Sequence, residues 1–359
     1  MKAVAKYDWW LVGSVLMLIL ISVVTLSSIA PKSDLYKQVV WIFIGLGAIF
    51  AVPMINLRPL FAYRWFVLSI YFGILGLLAL TYFFAPTISG VRSWLVFGDV
   101  QIQSSEFMKL ALIILFSKFF AKKHVAIARL GIIIASFIYF LIPAFMILAQ
   151  PDLGTIIIIF ALWLGYVLVS GLPTRYIAIM LLIAVIFGFI AWNLFLYDYQ
   201  KERIIGLFNP EYDPLGINYS AIQAKIAIGS GGFWGKGFGQ GTQTHLGFLP
   251  AATTDFVFAA FIEEWGVVGG FVLIAAFVLM IYRILRVGIL SNNNFSRFIA
   301  VGAVIFFLSH LFINVGSNVG LVPVIGIGLP FVSYGGSNFL TASIMVGIIL
   351  NIQRHKHGF

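Results

Sequence analysis

Residues 9–29 read WWLVGSVLMLILISVVTLSSI, with no charged side chain in the run. A helix needs roughly 20 apolar residues to cross the hydrocarbon core of a bilayer, and this run supplies them. Similar runs recur along the chain, giving ten in all: 9–29, 38–56, 65–84, 105–121, 130–148, 153–170, 176–197, 257–282, 297–316 and 335–352. Lys2 and Lys6 ahead of the first run, and small residues at its end, imitate a signal peptide. The run is too long for one and reads as a span. Composition agrees: of 359 residues, 62% are hydrophobic and 9% charged, with a mean hydropathy of +1.06. Soluble domains carry about a quarter charged residues, so cytosolic globular classes and disordered chains are excluded. Cysteine is absent, which excludes a disulfide framework and any metal–thiolate site. The expected fold is an all-α polytopic membrane protein with ten transmembrane helices.

The formal net charge is +10. In a soluble protein that points to nucleic acid; in a membrane protein the distribution decides. With the N-terminus inside, the inner side collects Lys2, Lys6, Arg58, Arg64, Lys118, Lys122, Lys123, Arg129, Arg175, Arg283, Arg286, Arg297, Arg354 and Lys356, which is 14 of 22 basic residues. Asp8 is the one acid there. Asp34, Asp99, Glu106, Asp152, Asp198, Glu202, Glu211, Asp213, Asp255, Glu263 and Glu264 fall outside or at the outer ends of spans. The inner side therefore sums to 14 − 1 = +13 and the outer side to 8 − 11 = −3. Basic loops stay inside, so both termini are expected in the cytoplasm. The positive charge is a topology signal that suits anionic membrane lipids and calls for no nucleic-acid partner.

The irregular segments share the outer face. The longest, 198–256 between the seventh and eighth spans, holds the turn Asn209-Pro210-Glu211-Tyr212-Asp213-Pro214. A helix at the membrane interface is expected over Tyr219 to Ile228, with Ile222, Ile226 and Ala227 at helical spacing, and a glycine tract follows from Gly229 to Gly241. Another, Gly316 to Ser337, is charge-free and rich in Gly and Pro, as expected of backbone folded back against protein. Familiar chemistry is missing. Around Lys236 the phosphate-binding loop pattern fails, with Ser230 in place of its first Gly and Gly237 in place of Ser or Thr. His124, His245, His310, His355 and His357 are scattered, so no histidine metal site is expected.

The outer polar residues each support two readings. Asp255, after Thr253-Thr254, is either a helix cap facing the positive dipole end, which lowers its pKa, or a general base at the wet end of a bundle. Glu263 and Glu264 lie two turns further on, about 12 Å at 1.5 Å per residue, and need partners if they enter the membrane. Glu106 and Lys109 share a helix face as a salt bridge, or as a pair holding Lys109 toward an anionic substrate. Arg92 and Trp94 are an interfacial anchor or a phosphate contact. Asp152 after Pro151 reads as a helix cap. Lys225, Lys236 and His245 place positive charge in an acid-rich outer loop, beside flexible backbone that either packs as a loop or cradles phosphate.

Four segments together resemble the SEDS family of bacterial cell-wall proteins (shape, elongation, division and sporulation). They are Gly90-Val91-Arg92-Ser93-Trp94 with Ile102-Gln103-Ser104-Ser105-Glu106-Phe107-Met108-Lys109; Gln150-Pro151-Asp152-Leu153-Gly154-Thr155; Asp213 through the glycine tract to Thr254-Asp255-Phe256; and Gly320-Leu321-Val322-Pro323 leading to Ser333-Tyr334-Gly335-Gly336-Ser337. Their order covers essentially the whole chain, and the elongation branch is the more similar one. Gly335 and Gly336 are structural or cap candidates at the start of the last span. The sequence departs from the family pattern at Ser104, where Pro is usual, at His245, where Arg is frequent, and at Ala251-Ala252-Thr253.

The resemblance implies a multi-pass protein of the bacterial cytoplasmic membrane. It implies a peptidoglycan glycosyltransferase that polymerises lipid II on the outer face, alongside a class B penicillin-binding protein transpeptidase. The family's essential aspartate falls on Asp255, the implied general base. Arg92, Lys109 and Lys236 are then candidates to stabilise the undecaprenyl pyrophosphate leaving group. A divalent cation (Mg or Mn) is compatible with that chemistry, although no carboxylate pair to hold it is legible. Two rival functions are a lipid II flippase and a scaffold that only recruits the transpeptidase.

Overall fold

The computed structural model describes residues 7–87, 92–98, 100–123, 130–173, 176, 178, 182, 186, 188–190, 192–194, 197–209 and 212–355. Half of the expected seventh span lies outside them, as do Lys2, Lys6, Gly90, Val91, Asp99, His124, Arg129, Arg175, Pro210, Glu211, Lys356 and His357.

The helices, in chain order, are α1 (Trp9–Ile29), α2 (Lys32–Ala51), α3 (Leu57–Ala62), α4 (Arg64–Phe84), α5 (Ser104–Lys123), α6 (Leu130–Leu148), α7 (Leu153–Val169), α8 (Asp198–Phe208), α9 (Tyr219–Gly231), α10 (Thr242–His245), α11 (Val257–Ile289), α12 (Asn294–Val319) and α13 (Gly336–Arg354). Seven of the described helices (α1, α2, α4, α6, α11, α12 and α13) are long and apolar enough to cross a membrane, and α7 is a shorter apolar helix. One feature departs from all-α. Strands β1 (Trp94–Phe97) and β2 (Val100–Gln103) pair antiparallel, Trp94 opposite Gln103. Alternating Trp94, Val96, Val100 and Ile102 suit a pleated ribbon better than a helix.

The core lies between α5, α7 and α12. Tyr166 is fully buried there, with its hydroxyl bonded to Ser117 Oγ at 2.7 Å and donating to Phe298 O at 2.9 Å. A buried phenol needs such partners, and these tie three helices at one point. At the inner end, Asp8 caps α1 through Leu11 N–H and receives the Arg283 guanidinium, Nη2 to Oδ2 at 2.6 Å. The one acid expected inside thus meets an arginine expected inside.

Helix α11 is longer than the expected 257–282, and it is broken. Gly266 leaves the helical region (φ 69°, ψ −174°). A break orphans amides and carbonyls on both sides, and the glycine tract satisfies them. Val267 N–H donates to Gly232 O at 3.0 Å and Val268 N–H to Phe233 O at 3.2 Å. In return Lys236 N–H donates to Glu263 O and Gly237 N–H to Glu264 O, both at 3.0 Å. A β-carbon on Gly266 would sit 2.3 Å from Phe233 O, and one on Gly235 2.1 Å from Glu264 O. Gly266→Ala is therefore expected to melt well below the wild type, by roughly the 1–3 kcal/mol that such backbone strain costs, in a thermal denaturation followed by tryptophan fluorescence. An unchanged melting temperature would refute this role.

Helix α9 forms where expected, and of its expected apolar positions Ala227 is buried, Ile222 half-buried and Ile226 exposed. Ala224 and Ala227 are fully buried while Ile226 is exposed. Small side chains let the helix approach α11 closely, which the bulkier isoleucines would prevent.

Candidate active site

Asp255 sits in the turn before α11. Its main chain is fixed from two directions. Asn314 Nδ2 donates to Asp255 O at 2.9 Å and Asn318 Nδ2 to the same oxygen at 3.0 Å, both from α12. The 321–335 segment holds the residues just before it: Ser333 Oγ donates to Thr254 O at 2.6 Å and Tyr334 N–H to Thr253 O at 2.8 Å. That segment is itself locked by Phe331, a buried residue at φ 66°, stacked on Phe307 and edge-on to Phe339. Irregular backbone at this depth is tolerated because protein surrounds it.

Asp255 does not cap its helix. Among the described residues, the first-turn amide with a side-chain acceptor is Ala259 N–H, which Asn318 Oδ1 receives at 3.0 Å. The expected dipole lowering of the Asp255 pKa is correspondingly overturned. Surrounding protein desolvates the carboxylate and raises its pKa from 3.8 to about 6, and the Arg203 guanidinium only partly opposes this. A carboxylate with a pKa near the operating pH makes an effective general base.

Arg203, on α8, drew no attention in the sequence. It donates through Nη1 to Val324 O at 3.0 Å and lines a shallow cleft between α8, α9 and residues 320–324. Lys225 of α9 lines the same cleft, over the C-terminal end of α12; a β-carbon on Gly320 would sit 2.4 Å from its Nζ. The cleft thus carries two cations, and one of them, Arg203, is near enough to act on the Asp255 charge.

The structure places the other candidate residues elsewhere. Lys109 is 2% exposed, 2.7 Å from Glu106 Oε1 and 3.2 Å from His310 Nε2. Asn338 Nδ2 donates to the second Glu106 oxygen at 3.3 Å, so the cluster joins α5, α12 and α13. Lys236 binds Glu263 Oε1 at 2.9 Å. Glu263 also accepts from Gln243 N–H (2.8 Å) and from Thr244 N–H and Oγ1 (both 3.1 Å). His245 Nε2 lies 3.1 Å from Glu264 Oε1, which also accepts from Ser28 Oγ and from Gly239 N–H. The glycine tract and its cations therefore enclose two glutamates. Arg92 is exposed and donates to Thr87 Oγ1 at 3.0 Å, and Trp94 is half-buried in β1. Asp152 caps α7 through Thr155 N–H at 3.0 Å and accepts from Gln103 Nε2 and Ser105 Oγ, which brings the first two motifs together. Gly335 N–H donates to Gln38 Oε1 at 3.2 Å, and Gly336 packs where a β-carbon would strike the Trp41 ring. Among the described residues, no three His, Asp or Glu side chains are grouped to hold a metal.

Known proteins resemble the chain over most of its length. The cell cycle protein family FtsW/RodA/SpoVE matches residues 3–358. Peptidoglycan glycosyltransferase MrdB of Escherichia coli (strain K12) is 36% identical over 313 residues, covering 87% of this chain and 84% of that protein. A chain of a peptidoglycan synthase complex, solved to show the structural coordination of polymerization and crosslinking, superposes with a TM-score of 0.84 at 30% identity, covering 98% of this chain and 99% of that one. The crystal structure of Thermus thermophilus rod shape determining protein RodA superposes with a TM-score of 0.73 at 28% identity, covering 98% of both chains.

Proposed function

We propose a mechanism from the premise that the chain belongs to the FtsW/RodA/SpoVE (SEDS) family: it is a peptidoglycan glycosyltransferase of the bacterial inner membrane, and Asp255 is its general base. The observation that carries this role is a carboxylate held by its main chain, spared from capping, raised to a pKa of about 6 and acted on by the Arg203 charge. The acceptor sugar of lipid II presents its 4-hydroxyl to Asp255, which takes the proton as the oxygen attacks the anomeric carbon of the lipid-linked strand. The bond to the diphosphate breaks, and undecaprenyl pyrophosphate leaves as an anion. Arg203 and Lys225 stabilise that charge. Of the earlier candidates, Lys109 and Lys236 neutralise buried glutamates instead. Ten spans with both termini inside, residues 198–256 outside, and a class B penicillin-binding protein as crosslinking partner complete the reading.

The test is reconstitution of the purified protein with labelled lipid II, with and without the transpeptidase, scoring glycan polymer and translocation separately. Polymer is expected. Translocation without polymer would make the protein a flippase, and neither would leave a scaffold. A chelator arm with Mg²⁺ or Mn²⁺ restored measures any divalent-ion requirement.

A further inference from the structure

An aspartate at a helix entrance ordinarily folds back onto the first-turn amides, which lowers its pKa and occupies its oxygens. At the entrance of α11 that position is held by a neutral side chain from another helix. Asn318 is fully buried. Its Oδ1 accepts from Ala259 N–H at 3.0 Å, while its Nδ2 donates to Asp255 O at 3.0 Å and to Asn314 O at 2.8 Å. Asn314, one turn earlier, adds a second donor to Asp255 O and also holds Ile327 O at 2.8 Å. The pair thus performs two tasks with three amide atoms: it caps the helix, and it clamps the main chain of the residue that would otherwise cap it.

We propose that Asn318 is a positioning residue for polymerisation, capping α11 in place of Asp255 and so leaving that carboxylate free of the helix and within reach of the Arg203 charge. The inference rests on Asp255 acting as base. The charged and titratable groups around Asp255 are few. Arg203 faces it from α8, with Lys225 of α9 in the adjoining cleft. From the 321–335 segment comes Tyr334, whose N–H binds Thr253 O. Two turns along α11, Glu263 and Glu264 are tied to Lys236 and His245. On α12 the adjacent side chains, Asn314 and Asn318, are neutral, so changing Asn318 acts through geometry or through a deliberately added charge.

The probe is dicyclohexylcarbodiimide, which modifies carboxyl groups only when they are protonated. Asp255 labelling is followed by peptide mass spectrometry against pH, on the full-length protein in lipid nanodiscs, beside the polymerisation assay. The wild-type labelling midpoint is expected near pH 6. Asn318→Ala leaves Ala259 N–H without its acceptor, and Asp255 turns to supply one. Its midpoint falls by about one pH unit, and the maximal polymerisation rate falls on the order of tenfold with KM little changed. Asn318→Asp keeps an acceptor on Ala259 N–H and adds a negative charge, so the midpoint rises instead. A midpoint that stays at the wild-type value in Asn318→Ala overturns the proposal, even if the variant melts earlier. If Asn318→Ala does not fold, Asn318→Thr, too short to reach both Ala259 N–H and Asp255 O, takes its place with the same fall expected, and an unmoved midpoint there overturns the proposal. If midpoints move as stated while the wild type makes no polymer, the polymerase reading fails and the positioning role stands.

Discussion

Asp255→Asn is expected to lose strand synthesis while the protein stays folded. The amide keeps the shape and the main-chain contacts from Asn314 and Asn318 but cannot take a proton. General-base catalysis contributes about 10²–10⁴-fold, and a loss of that size in polymer formed from lipid II is the expected reading. In the wild type the rate should rise with pH through about 6, as Asp255 gives up its proton. Stability should move the opposite way. Burial raises the folded-state pKa from 3.8 to about 6, so the folded protein holds the proton more tightly than the unfolded chain does. Below pH 3.8 the group is protonated in both states and costs nothing; between 3.8 and 6 the unfolded state gains; above 6 the cost is fully present. Asp255→Asn removes that cost and should melt no lower than the wild type at pH 7. Normal polymer from the purified variant would sink the assignment, and a lower melting temperature would mark Asp255 as structural.

Glu263→Leu should show the reverse signature, a large loss of stability with the chemistry of Asp255 untouched. Glu263 is fully buried and collects the Lys236 ammonium, two main-chain amides and the Thr244 hydroxyl. Leucine fills the space but leaves those donors without an acceptor. Removing one partner of a buried ion pair costs about 3–5 kcal/mol. Tryptophan-monitored melting should fall accordingly, and what activity survives at low temperature should keep the wild-type pH midpoint. A shift below about 1 kcal/mol would mean the pair contributes only what exposed salt bridges do.

Much of the membrane architecture is legible in the string because bilayer thickness imposes a length on apolar runs. The break at Gly266 is not legible, since a glycine within an apolar run reads as one more permissible residue. At the site, Asp255 is legible through its motif, whereas its electrostatic surroundings are not. Lys109 is committed to Glu106 at i, i+3 but also to His310, 201 residues along the chain. Lys236 is committed to Glu263, 27 residues away. Arg203 stands among ordinary charged neighbours, and only the fold brings its charge to Asp255. Asn314 and Asn318 did leave a signal: two amides at i, i+4 within a membrane-spanning helix share one face, and buried amides require partners.

The clasp between the glycine tract and Gly266 has a mechanical consequence. A bilayer changes thickness with composition and temperature, and a spanning helix answers by tilting. An unbroken α11 would be a lever about 50 Å long at 1.5 Å per residue over its 33 residues, and a small tilt would swing its outer tip. Placing a joint at Gly266, braced by hydrogen bonds to residues 232–237, confines that tilt to the portion below it. The end that carries Asp255 is therefore expected to feel less of the bilayer's thickness than the portion below the joint.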